Sequence, residues 1–328
     1  MSDDPAVVTA YHHVVTFALE HDWAATPQAC TQIAQLVAQW SVGQRADAPT
    51  IAAAVARRKN DTPTFNQGVA VIPIYGVIAP RMNLMSEMSG GTTFEMLTGQ
   101  LHEALAQKPQ AIVFDVDSPG GNVAGATEFA REVLKARTQV PVIAQANHLM
   151  ASAAYWVGSC ATEIVASPSA MVGGIGVYNI HNDISKALEQ MGIKRDVISA
   201  GKYKGEGVDG GPLTEEARAH RQDLVDTTYG RFIGDVAIGR GVSTDTVRSK
   251  YGHGRVLHAD AALDAGMITR IGTIADTLSR FILPTTTAVA VTPQEPTRFT
   301  GQDHAAFVRQ QLELARLGAH CAIGDFAS

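Results

Sequence analysis

Residues 111 to 161 read AIVFDVDSPGGNVAGATEFAREVLKARTQVPVIAQANHLMASAAYWVGSCA. The order of textures in this stretch decides the fold. AIVFDVD is an apolar, β-branched run that ends in a polar turn, the signature of a buried strand. TEFAREVLKAR is amphipathic at helical spacing. PVIAQAN repeats the strand signature, and ASAAYWVGSCA reads as a helix of small residues. Strands alternating with helices of this length predict βαβ units on a mainly parallel sheet, an α/β protein.

The pattern extends in both directions. GVAVIPIYGVI (68–78) is a strand with Gly76 inside it. EIVASPSAMVGGIGV (163–177) is a strand and turn, and GGIGVYNI (173–180) a strand that leads to His181. PLTEEARAHRQDLVDTTYGRFIGDVAIGRG (212–241) is a long helix. Thr214 suits its N-cap, and Glu215 and Glu216 suit the positive end of its dipole. STDTVRSKYG (243–252) is a helix capped by Ser243 and ended by Gly252. LHADAALDAGMITRIG (257–272) is another, stopped at Gly266 and followed by a short strand. Upstream, TPQACTQIAQLVAQW opens on a Thr26–Pro27 helix entry and sets Ile33, Leu36, Val37 and Trp40 at helical spacing. Three regions follow: a helical N-terminal extension (1–65), a catalytic-type core (66–281), and a Thr/Pro-rich linker with a short tail helix (282–328).

Composition narrows the function classes. The 328 residues are 45% hydrophobic and 18% charged with a net charge of -6, ordinary globular usage with no basic run. A nucleic-acid partner would require a basic stripe. The three cysteines, Cys30, Cys160 and Cys321, fit neither a disulfide framework nor a metal cluster. His12, His13 and His21 lack metal-ligand spacing. MSDDPAVVTAYHHVVTFALEHDW has no positive n-region and no apolar run long enough for a signal peptide or membrane anchor. A soluble, cytoplasmic protein without metal or cofactor is expected.

Chemistry concentrates beyond the carboxyl ends of parallel strands. DSPGG, Asp117 to Gly121, lies there. Its tandem glycines let the backbone approach a ligand and turn N–H groups toward it, as an oxyanion hole or a tight turn. No G-x-x-x-x-G-K-[ST] pattern marks a phosphate loop. Ser152 opens the small-residue helix, either as a nucleophile helped by the helix N-terminus or as a cap. Ala151, Ala153 and Ala154 leave clearance around it. A nucleophilic serine needs a base. His148 sits four residues earlier, in what reads as the strand-to-helix loop. His181 is followed closely by Asp183. Lys204 lies in the glycine-rich SAGKYKGEGVDGGP. A lysine must be neutral to act; moving it from about 10.4 to about 7 costs roughly 4–5 kcal/mol, which burial can supply. On chemistry alone His181 and Lys204 compete.

GVAVIPIYGVI, FDVDSPGGNV, MASAAYWVGS, ASPSAMVGGIGV and SAGKYKGEG…PLTEEAR, in that order, resemble the signal peptide peptidase A family of serine peptidases over residues 66 to 281. GVDGGPLTEEAR and MSGGTTFEML resemble its soluble phage and prophage branch, which includes head-maturation (capsid assembly) proteases. The resemblance implies a ClpP/crotonase-like β-β-α spiral and a Ser–Lys dyad. It implies Ser152 as nucleophile and Lys204, rather than Lys202, as base. Gly121 and Ala153 would supply the oxyanion amides. His181 matches no catalytic residue of the family and is left, with Asp117 and Gly120, as a candidate supporting residue. It implies a protein or peptide substrate with small or apolar side chains at the cleaved bond, such as a phage scaffold or capsid protein, met in the cytoplasm or inside the assembling prohead. It also implies a homo-oligomer with active sites completed between subunits. Degradation of signal or other small peptides, a crotonase-type acyl-CoA enzyme and an inactive capsid-associated protein are the alternatives.

Overall fold

The computed structural model describes residues 23–26, 63–81, 91–208 and 210–281. Their elements in chain order are β1 (Trp23–Ala25), β2 (Thr64–Asn66), β3 (Val69–Tyr75), β4 (Ile78–Ala79), β5 (Thr92–Thr93), α1 (Phe94–Ala106), β6 (Ala111–Ser118), β7 (Gly120–Asn122), α2 (Ala126–Ala136), β8 (Val142–Ala151) and α3 (Ala153–Ser159). They continue with β9 (Glu163–Ala166), β10 (Met171–Gly173), α4 (Ser185–Gln190), α5 (Glu215–Arg240), α6 (Thr244–Lys250), β11 (Val256–His258), α7 (Ala259–Asp264), β12 (Arg270–Ile271) and α8 (Ile274–Ser279).

The winding is a β-β-α spiral. Strand β3 enters a large sheet, β4 a small one, and α1 follows; β6, β7 and α2 repeat the step. The large sheet runs β11-β10-β8-β6-β3-β2, with β9 also against β8 and β12 against β9. Its central pairs β3–β6, β6–β8 and β8–β10 are parallel. The small sheet runs β1-β7-β4-β5. Each step turns at a glycine. Gly76 (φ 64) separates β3 from β4, and Gly120 (φ 94) begins β7 after Pro119, angles a side chain would oppose. The expected single strand over 68–78 is therefore two strands in two sheets.

The β-branched faces of β3, β6 and β8 are buried, with Ile72, Ile74, Ile112, Phe114 and Val142 at 0–1% exposure. Helix α3 is buried along its whole length. Trp156 stacks on Phe232 of α5 at 4.4 Å between centroids, and its indole N–H donates to Asp235 Oδ2 at 2.8 Å. Tyr155 O–H donates to the Met267 carbonyl at 2.9 Å. Full burial of aromatic side chains like these stabilises by about 2–3 kcal/mol each. Burial holds the Asp235 carboxyl above its ordinary range, although the Trp156 bond opposes this. Gly239 brings α5 against the end of α3; a Cβ there would stand 2.3 Å from the Ser159 carbonyl oxygen. The expected caps are in place: Thr214 accepts from Ala217 N–H and Ser243 from Thr246 N–H.

Three further sequence expectations differ from the structure. Trp23–Ala25, within the stretch read as helical, is a strand, because its backbone pairs with β7. The rest of the expected N-terminal helices, and the linker and tail over 282–328, lie outside the described residues. Strand β8 runs to Ala151, so His148 sits on a strand and not in a loop. The register between β6 and β8 shifts after Val116, a bulge that absorbs the extra residues. The strand expected over 173–180 ends at Gly173, where β10 has finished pairing with β8 and β11.

Candidate active site

Ser152 stands where β8 becomes α3. Its φ of 55 and ψ of -119 lie outside the regions open to an ordinary L-residue. Such strain persists only where surrounding structure imposes it, and it collects at functional sites. Here the imposition is visible: Ser152 N–H donates to the Gly173 carbonyl at 2.6 Å, and its own carbonyl accepts from Trp156 N–H at 2.8 Å. The Ser152 side chain caps nothing, although the residue occupies the N-cap position. Serines are usual at that position because they cap, so the cap reading of the sequence does not describe this one. A serine on a sharp strand-to-helix turn, its hydroxyl not spent on capping the helix, has the geometry of a nucleophile.

Gly120 and Gly121 lie beside it. A Cβ on Gly120 would stand 2.8 Å from Ser152 Cβ and 2.9 Å from the Ala151 carbonyl oxygen. Ser118, missed in the sequence, fixes this corner: its buried hydroxyl donates to the Gly76 carbonyl at 2.6 Å and accepts from Gly120 N–H at 3.1 Å. Ala153 is fully buried and is the first residue of α3, so its N–H has no acceptor within the helix. The structure thus gathers Ser152, Gly120, Gly121 and Ala153 at one corner.

Gly121 tolerates no side chain. A Cβ would lie 1.9 Å from the Ile78 carbonyl oxygen and 2.6 Å from its nitrogen, backbone atoms fixed by the small sheet. Gly121→Ala is expected to lower stability by about 3 kcal/mol or more, the range of severe overpacking. Urea unfolding monitored by tryptophan fluorescence would measure it; a loss under about 1 kcal/mol would contradict the close approach.

A polar cluster braces the bulge of β8. Tyr75 O–H and the Asn147 amide both donate to the Asp115 carboxylate, and His148 Nδ1 lies 3.0 Å from Asp117 Oδ2. Burial raises the Asp115 carboxyl above its usual range despite the two hydrogen bonds, with Asp117 adding to the effect. Tyr75, Asp115 and Asn147 had no signal of their own in the sequence. Asp117, expected as a supporting residue, therefore faces His148.

The two candidate bases are placed elsewhere. His181 Nε2 lies 2.8 Å from the Gly211 carbonyl, which ties the histidine to the glycine-rich loop. Lys204 is exposed on the turn 201–207, its N–H donating to the Gly201 carbonyl at 3.1 Å. No hydrogen bond or ion pair among the described residues joins either side chain to Ser152. The segment carrying both exposes Ile184 (47%), Met191 (71%), Ile198 (96%) and Tyr203 (50%). Among the described residues no group of three or more His, Cys, Asp or Glu is placed to hold a metal ion. No helix among them is long and apolar enough to cross a membrane.

Residues 135–282, which include Ser152 and Lys204, match the family described as Peptidase family S49. Among curated proteins, Capsid assembly protease C of Escherichia phage lambda is 31% identical over 217 residues, covering 65% of this chain and 48% of the relative. Head-tail preconnector protein GP5 of Enterobacteria phage P21 is 29% identical over 213 residues, covering 65% of this chain and 42% of the relative. The chain spans less than half the length of these two relatives. Among solved structures, a ClpP1 point mutant from Listeria monocytogenes aligns with a TM-score of 0.41 at 15% identity, over 63% of this chain and 94% of that one.

Proposed function

We propose, from the premise that the chain belongs to peptidase family S49, that it is a serine endopeptidase with a Ser152–Lys204 dyad. The observation that carries this is the strained, uncapped Ser152 packed against Gly120. Neutral Lys204 accepts the Ser152 proton as Oγ attacks a peptide carbonyl carbon. The Gly121 and Ala153 amides receive the developing oxyanion. The tetrahedral intermediate expels the amine, which takes the proton from Lys204. Lys204 then deprotonates a water that attacks the acyl-enzyme, and returns that proton to Ser152 Oγ as the ester bond breaks and the new carboxyl terminus leaves.

A lysine acts as a base only where burial disfavours its charged form, and among the described residues Lys204 is exposed. The exposed apolar residues around Lys204 supply a reason for a second copy to pack there. The working enzyme is thus a homo-oligomer in which one subunit's Lys204 reaches its neighbour's Ser152. The name of the phage lambda relative, a capsid assembly protease, supports capsid-assembly proteins as the substrates.

A serine-directed phosphonate is the direct test. It is expected to label the assembled chain at one residue, Ser152, and to stop hydrolysis of peptides with alanine before the cleaved bond. Labelling elsewhere, or intact peptides after labelling-competent protein is added, would overturn the reading.

A further inference from the structure

Strand β1 lies where a substrate would lie. The small sheet runs β1-β7-β4-β5, so without β1 the edge of that sheet is β7, the strand that carries Gly120 and Gly121. A free edge accepts an extended peptide through main-chain hydrogen bonds. Trp23–Ala25 uses that edge now, antiparallel, with Trp23 opposite Asn122, Ala24 opposite Gly121 and Ala25 opposite Gly120. Thr26 N–H continues the ladder by donating to the Pro119 carbonyl at 3.0 Å.

The register identifies the peptide bond presented to the serine. Hydrogen-bonded and non-bonded pairs alternate along an antiparallel ladder. Thr26 and Pro119 form a bonded pair, so Ala24 and Gly121 form the next, and Gly121 N–H faces the Ala24 carbonyl oxygen. That oxygen and Ser152 Cβ press on the same side of Gly120: a Cβ there would stand 2.2 Å from the first and 2.8 Å from the second. Ala24 is fully buried, and its methyl is the small side chain expected before a cleaved bond.

We propose that Trp23–Thr26 is a built-in occupant of the substrate cleft. It holds the Ala24 carbonyl at the oxyanion position and closes the site until the strand leaves. The inference deepens the peptidase reading and rests on it. Three residues make a short strand, paired with β7 and covalently joined to the chain it pairs with. A tethered segment acts at an effective concentration of about millimolar, so even weak pairing excludes a dilute substrate. The blocked fraction lowers apparent substrate affinity in proportion.

The test uses the full chain and two independent variants. Thr26→Pro removes the N–H that reaches Pro119, and Ala24→Glu places a charge at a buried position. Both are expected to react with the phosphonate at Ser152 about tenfold faster than the parent chain. A fluorescent peptide of residues 20–29, EHDWAATPQA, should bind both variants in a Ser152→Ala background and bind the corresponding parent chain about tenfold more weakly, read by polarisation. Peptide binding of equal strength in all three chains would overturn the occupancy. Faster labelling in neither variant, with Ser152 reactive throughout, would overturn the block while the peptidase reading stands. Selective peptide binding with Ser152 inert to the phosphonate would instead sink the peptidase reading and keep the occupancy. Unchanged circular dichroism in either variant makes its result count, and the two variants disturb the fold by different routes.

Discussion

Ser152→Ala is expected to abolish peptide hydrolysis, by about a million-fold in kcat, while leaving stability within about 0.5 kcal/mol of the parent. The activity loss follows from removing the hydroxyl, which makes no capping bond to α3. The stability result follows from the backbone: alanine keeps the same φ of 55 and the same strain. Ser152→Gly separates the two effects. Glycine enters this region freely, relieving strain worth about 1–3 kcal/mol. It adds unfolded-state freedom worth about 0.4–1 kcal/mol in the opposite direction. The net expectation is an inactive chain about 1 kcal/mol more stable than the parent. Urea midpoints of the three chains, with hydrolysis rates beside them, make the comparison. A Ser152→Gly chain less stable than Ser152→Ala would mean no strain is stored there, and residual hydrolysis in either would name the wrong nucleophile.

The strain at Ser152 is a local price for a global arrangement, and this explains what the sequence could and could not disclose. The alternation from Ala111 to Ala161 specified strands and helices because burial on a parallel sheet leaves near-continuous apolar runs. Thr214 and Ser243 were legible as caps because capping depends on residues a few positions apart. The nearness of DSPGG and ASAA followed from both lying beyond carboxyl ends of paired strands. Strand β1 was hidden. Trp-Ala-Ala has no period, and its conformation comes from pairing with β7, far along the chain. His148 was misplaced because the bulge in β8 extends a strand past the point where its apolar pattern stops. The Asp115 cluster was hidden for a related reason. Tyr75, Asp115 and Asn147 sit on three separate strands and meet only when those strands register. The base remained open on chemistry because burial decides whether a lysine can serve, and burial is set by packing, which no short stretch of sequence discloses.

Lys204→Ala is expected to reduce kcat by about 10⁴-fold, the upper range for losing a general base. Lys204→Arg should be as inactive, since a guanidinium keeps its proton at any working pH. Lys202→Ala and His181→Ala should retain activity, because Lys202 lies on the exposed turn beside Glu216 and His181 is bound to Gly211. Dead His181→Ala with active Lys204→Ala would reverse the assignment. The decisive measurement mixes two inactive chains. Ser152→Ala supplies intact lysines, and Lys204→Ala supplies intact serines. In a head-to-tail ring assembled from equal amounts, about a quarter of the interfaces join a good serine to a good lysine, so about a quarter of parental activity returns. If each dyad forms within one chain, every site lacks one partner and mixing restores nothing. Recovery would rise with the time allowed for subunit exchange and vanish when the chains are cross-linked as separate oligomers before mixing. The exposure of Lys204, together with Met191, Ile198 and Tyr203 on the same segment, favours recovery. A charged lysine becomes a base only where water is excluded, and a second copy packed on that apolar surface would exclude it.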